Sequence, residues 1–153
     1  MNSQYTSKHG IISRPAYELY MAFADMRNLV NMLPEDKKQG VTADFDTVSA
    51  SIQGFNIGVR VKERVPYSRI VVEDNGAPFR FTISLHFDPT ASDSLKTDFH
   101  IDVSAELNFM LKMMVGNKIQ GALDKIVDSL VDLSEGKMPE GFDPADFPKG
   151  FSN

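Results

Sequence analysis

The chain has no cysteine. Disulfides, thiolate nucleophiles and cysteine-ligated metals are therefore excluded. It has no apolar run near the roughly 20 residues that span a bilayer, so no transmembrane segment is expected. The opening residues, MNSQYTSKHG, lack the charged-then-apolar pattern of a secretory signal, and a cytoplasmic location is the expectation. Positive charge is in deficit: 16 Lys and Arg stand against 21 Asp and Glu, a formal net charge of −5. That disfavours nucleic acid as the main partner, because phosphate binding leans on a basic face. Internal repeats and low-complexity segments are missing as well.

What remains is an ordinary globular sequence. It has 153 residues, of which 42% are hydrophobic and 24% charged, enough for one domain with a single core. Residues 5 to 12 read as a first strand. Ser13 and Pro15 open a helix whose apolar face is Leu19, Phe23, Met26, Val30 and Leu33. Pro34 stops it, and PEDKKQG forms a second short helical turn. The period then changes from helical spacing to two. GVTA, VSASI, FNIGVRVKE, SRIVVED, FRFTISLHF and LKTDFHIDVSAEL read as six strands, with Asn-Gly in DNGAP marking a hairpin. Asn108 caps a long helix that ends at Gly136. The expected division is one domain over 1–136 and a flexible Pro- and Gly-rich tail over 137–153.

The last hairpin has a natural register. Pairing Phe87 with Leu95 sets Ile83 opposite Phe99 and Phe81 opposite Ile101, and it sets Arg80 opposite Asp102 and Thr82 opposite His100. The preceding hairpin pairs Val61 with Ile70 and Val59 with Val72 by the same reasoning.

This order of elements, with DMRNLVNMLP closing the first helix, ERVPYSRI at a hairpin turn and LNFMLKMMVGNKIQGALDKIVDSL entering the last helix, resembles the START/SRPBCC superfamily over about residues 5 to 135. It is most similar to the small single-domain bacterial members. The resemblance implies an α+β helix-grip fold. A curved seven-stranded antiparallel sheet would wrap around the long C-terminal helix, with two shorter helices after the first strand. It also implies an apolar cavity between sheet and helix, of the kind that binds lipids, sterols, polyketides or quinones.

In that fold the inward side chains follow from parity. Ile57, Val59 and Val61 share a face on one strand, Phe81, Ile83 and Leu85 on another, and Phe99, Ile101 and Val103 on the last. Met114, Ile119 and Leu123 complete the expected cavity lining from the helix. Met21, Met26, Met32, Met110 and Met113 either join such an adaptable wall or fill irregular core. Glu63 is the single inward carboxylate found, either an acid–base group or a rim carboxylate paired with Lys62 or Arg64.

The expected function is non-enzymatic binding or transport of an apolar small molecule or lipid, with no cofactor, no metal and no catalytic residue assigned. A polyketide cyclase- or aromatase-like enzyme is the alternative, relying on Tyr17, Tyr20 or Glu63. So is an interaction module. Arg60, Lys62, Arg64 and Arg69 make an outward basic stripe that offers a contact for an acidic protein or a membrane surface. Phe142, Phe147 and Phe151 offer another in the tail. His86 and His100 fall on the outer face with no second histidine at ligand spacing on their own strands, and the facing of His9 is open. No metal site is expected from them, since such a site needs three or four convergent ligands.

Overall fold

Alternating sequence builds six consecutive antiparallel strands: β3 (Val41–Ala43), β4 (Thr47–Ile52), β5 (Phe55–Val65), β6 (Arg69–Asp74), β7 (Phe81–Pro89) and β8 (Thr97–Glu106). The computed structural model describes residues 2–31, 35–52 and 54–137. In it each of these strands pairs with the next, while β1 (Asn2–Thr6) and β2 (Gly10–Ile12) both pair with β8. The sheet therefore has eight strands where seven are expected. The extra one arises because the first strand breaks in two at Ser7–His9. Ser7 keeps the ladder going with its side chain: its N–H donates to the Ile101 carbonyl at 2.8 Å, and its hydroxyl accepts the Ile101 N–H at 2.8 Å.

The predicted first helix is also divided, into α1 (Ala16–Ala24) and α2 (Met26–Asn31). Asp25 is the break, with extended backbone angles of φ −101° and ψ 114°. Its carboxylate accepts the Arg27 N–H at 3.0 Å and the Arg27 guanidinium at 2.7 Å. Short acidic side chains that bond their own neighbouring backbone compete with the helical ladder in this way. Pro15, not Ser13, stands at the cap position of α1. A short α3 (Glu35–Lys38) follows, and Met32, Leu33 and Pro34 lie outside the described residues. The last helix, α4 (Phe109–Ser134), starts as expected: Asn108 Oδ1 accepts the Leu111 N–H at 2.8 Å. It stops just before Gly136, whose φ of 81° suits a residue without a Cβ. The tail from residue 138 lies outside the described residues, and with it Phe142, Phe147 and Phe151.

One face of the sheet is apolar, and two helical elements cover it. α1 lies over β6 and β7, and α4 lies over β1, β2 and β8. Beneath α1, Phe23 stacks 6.0 Å from Phe87 and 6.2 Å from Phe99, and both strand rings are fully buried. On the other side Leu123, Val127, Leu130 and Leu133 bury the C-terminal half of α4. Close approach there depends on Gly10. A Cβ on that residue would stand 2.5 Å from Val127 Cγ1 and 2.8 Å from Val131 Cγ2.

Two registers differ from the expected ones. β7 and β8 pair Phe87 with Phe99, Ile83 with Val103 and Phe81 with Ala105, four residues from the expected partners. The connecting loop sets this slip. Thr90 Oγ1 donates to the Asp93 carbonyl at 2.6 Å, and the Thr90 N–H reaches the Lys96 carbonyl at 3.1 Å. Leu95 is thereby left in the loop, 65% exposed. Because the slip is even, every side chain keeps its face.

The β5–β6 hairpin slips by two, so that Val61 pairs with Val72, and then bulges between Val61 and Glu63. A bulge inserts one residue and reverses parity beyond it. Glu63 pairs with Val71 and faces outward, contrary to the inward position expected of it, while Arg64 pairs with the fully buried Ile70 and turns inward. The Arg64 guanidinium donates to the Ala24 carbonyl at 2.7 Å and the Phe45 carbonyl at 2.9 Å, and it meets Asp46 at 2.7 Å. It also lies 4.1 Å above the Phe45 ring. The basic stripe is broken accordingly: Arg64 leaves it, Arg60 is paired with Glu73 at 3.1 Å, and Arg69 with Glu63 at 2.6 Å.

Two outcomes follow for urea unfolding. Arg64→Met strips the partners from two main-chain carbonyls and is expected to cost about 2–3 kcal/mol, with Arg64→Lys recovering only part of it. Gly10→Ala is expected to cost about 1–3 kcal/mol by forcing α4 off the sheet. Gly121→Ala, where an added Cβ meets nothing within 4 Å, serves as the comparison and is not expected to destabilise.

Candidate functional site

The apolar face of the sheet is not covered evenly. The stripe of α4 that packs on the sheet changes character along its length. Leu111, Val115 and Ile119 are half-buried, whereas Leu123 and Val127 are buried. The inner rows of β5 and β7 are half-buried too: Ile57, Val59 and Val61 on β5, Ile83 and Leu85 on β7. These half-buried side chains pack against the core and keep part of their apolar surface accessible.

The expected lining residues fall into two sets by burial. Phe81, Phe99, Ile101, Val103 and Leu123 are buried, with relative exposures from 0 to 9%. They form the core. Ile57, Val59, Val61, Ile83, Leu85 and Ile119 hold the accessible apolar surface. Two expected members lie elsewhere. Met114 is 61% exposed, together with Met113, Met110 and Phe109, because the helical stripe facing the sheet falls on Leu111, Val115 and Ile119. Glu63 is on the outer face for the reason given by the bulge.

The inner face of the sheet is poor in chemistry. Arg64 turns inward but spends its donors on carbonyls and Asp46. Asp74, opposite Val59, accepts the Phe81 N–H at 3.0 Å. Tyr17 is 55% exposed on α1, and Tyr20 is buried edge-on against Tyr67 with ring centroids 5.5 Å apart. The acid–base role considered for Glu63 has no carboxylate at its place, since Glu63 pairs with Arg69 in solvent.

The outer face has two features of its own. One is an open polar depression of about 480 Å3, lined by Arg60, Glu73, Asp74, Arg80, Thr82 and Glu106 among others. Its charges alternate in sign, and Arg60 is already paired with Glu73. The other joins all three histidines of the chain. The slipped register sets His86, not Thr82, opposite His100. Their rings stack 4.4 Å apart, and His9, in the link between β1 and β2, stacks 4.2 Å from the other side of His100. Burial, and then the neighbouring His86 and His9 rings, hold the His100 imidazole below its usual pKa, against the opposing pull of Asp102 and Asp88. Sequence spacing concealed this cluster because its members come from three strands or links. The turn chemistry of Thr90 and Asp93, which sets the register, is the signal that reveals it.

No helix among the described residues is long and apolar enough to cross a membrane. No protein-family model matches the chain, and no curated protein matches it. Solved structures do share its architecture. Norcoclaurine synthase from Thalictrum flavum, solved with dopamine and hydroxybenzaldehyde, is 11% identical with a TM-score of 0.63, over 92% of this chain and 90% of that one. A protein from Thermobifida fusca, solved by solution NMR, is 11% identical with a TM-score of 0.66, over 90% and 97% of the two chains. A protein from Chromobacterium violaceum is 21% identical with a TM-score of 0.57, over 87% and 96%. Likeness at these identities concerns the fold, and the fold is the helix-grip: an antiparallel sheet around a long C-terminal helix.

Proposed function

We propose that this chain binds and carries an apolar small molecule or lipid in a groove between α4 and the sheet. The observation that supports the reading is the half-buried state of Ile57, Val59, Val61, Ile83 and Leu85 on the inner face of the sheet. Apolar side chains left partly accessible in an interior gain roughly 25 cal/mol for each Å2 that a ligand removes from water. With the inward charge of Arg64 already neutralised, an apolar body pays no penalty for a stranded ion. The solved neighbour that holds dopamine and hydroxybenzaldehyde is a protein of the same architecture with small organic molecules bound, which fits a groove of this kind without naming its contents.

Native mass spectrometry of gently purified protein, followed by organic extraction, tests the reading. The expected result is a defined lipid, quinone or polyketide-like mass released from the chain. A clean apo mass, with no thermal shift against fatty acids, sterols and quinones, overturns it. The site within the fold is tested by Leu85→Trp and Ile83→Trp, which fill the groove from its floor. Each is expected to weaken a fluorescent fatty-acid probe at least tenfold, a loss of about 1.4 kcal/mol, while far-UV circular dichroism stays unchanged. Equal probe affinity in both variants places the ligand elsewhere.

A further inference from the structure

We infer that the outer face of the sheet holds a site for a divalent transition-metal cation, zinc foremost, with His86, His100 and Asp102 as donors and His9 with Asp98 flanking them. This site lies on the opposite face of the sheet from the proposed apolar groove and does not depend on it.

The donors are already convergent. One ligand atom from each of His86, His100 and Asp102 lies within 4.8 Å of the other two, and the same holds for His9, Asp98 and His100. The first group is the better formed. Asp102 Oδ2 stands 3.0 Å from His86 Nε2 and 3.6 Å from His100 Nε2. A tetrahedral zinc with bonds of about 2.0–2.1 Å holds its donors roughly 3.3 Å apart, and the two separations fall on either side of that value. The His86 and His100 rings are 6° from parallel, so their matching edges face the same carboxylate. Binding one ion splays the two rings out of this parallel stack, so that both lone pairs converge on it. Because the two groups share His100, the site takes one ion per chain.

Its surroundings favour a cation. The second oxygen of Asp102 accepts the Thr6 hydroxyl at 2.8 Å, which orients the carboxylate as an outer-shell partner does in metal sites. Asp88 faces Asp98 directly across β7 and β8. Like charges so placed destabilise a sheet, and a nearby cation offsets the repulsion. Arg69, which neighbours His86 from β6, is neutralised by Glu63 at 2.6 Å. Asp102 is 40% exposed, which leaves a side open for the ion to enter and for water to complete its coordination. Imidazole with carboxylate suits zinc, copper and nickel over magnesium and calcium.

The test uses the full-length, tag-free chain, stripped with a chelator and then titrated with zinc chloride by calorimetry, with magnesium chloride as comparison. The expected result is one zinc per chain, with a dissociation constant on the order of 10 μM or tighter. The melting temperature rises with zinc and not with magnesium. His100→Gln and Asp102→Asn each weaken binding at least tenfold, while Asp36→Asn, on α3, leaves it unchanged. Should His100→Gln fail to fold by circular dichroism, His86→Gln decides by the same measure. Absence of heat and of a melting shift at millimolar zinc overturns the inference, and so does binding that survives both His100→Gln and Asp102→Asn.

Discussion

A β-strand turns successive side chains to opposite faces, and that two-residue period decides what every part of this sheet can do. β7 and β8 obey it throughout. Their inner rows, Phe81 to Phe87 and Phe99 to Ala105, build the core and the half-buried apolar surface beside it, and their outer rows collect histidine and aspartate. β5 breaks it once, at Lys62. That single inserted residue exchanges an acid for a base on the inner face: Glu63 goes out to Arg69 and Arg64 comes in to Ala24. The guanidinium then meets the carbonyl end of α1, where the helix dipole is negative. One irregularity thus removes the inward carboxylate and anchors the corner between α1 and α2.

Two covers share the apolar face of the sheet. α1 closes the face over β6 and β7 with Phe23, while the C-terminal half of α4 closes it over β8, β2 and β1. Gly10 permits the tight contact of α4 at that end. In the N-terminal half Gly116 admits the Tyr5 hydroxyl, which would stand 3.3 Å from an added Cβ, while α4 presents Phe109, Met110, Met113 and Met114 outward.

The two faces differ in chemistry. Inside lie apolar surface and an arginine neutralised by carbonyls and Asp46. Outside, three histidines meet among carboxylates because the Thr90–Lys96 loop sets an even register slip. An odd slip would have turned the apolar rows outward and unfolded the sheet's logic. An even slip costs nothing in burial, and for that reason burial alone does not determine which polar neighbours the outer face acquires.

Much of the fold was legible in the sequence. The six-strand meander, the Asn108 cap, the length of α4 and the inner rows of β7 and β8 all follow from periodicity and local capping chemistry, which act over a few residues. Local competition misled at Asp25, whose side chain breaks a helix that apolar spacing alone continues, and at Ser7, whose hydroxyl stands in for a backbone group. The facing of Glu63, Arg64 and Met114 was decided by the tertiary structure, since a bulge and a helix rotation are visible only once partners are in place. So was the meeting of His9, His86 and His100. Periodicity assigns a side chain to a face; only the register of the assembled strands assigns it a neighbour.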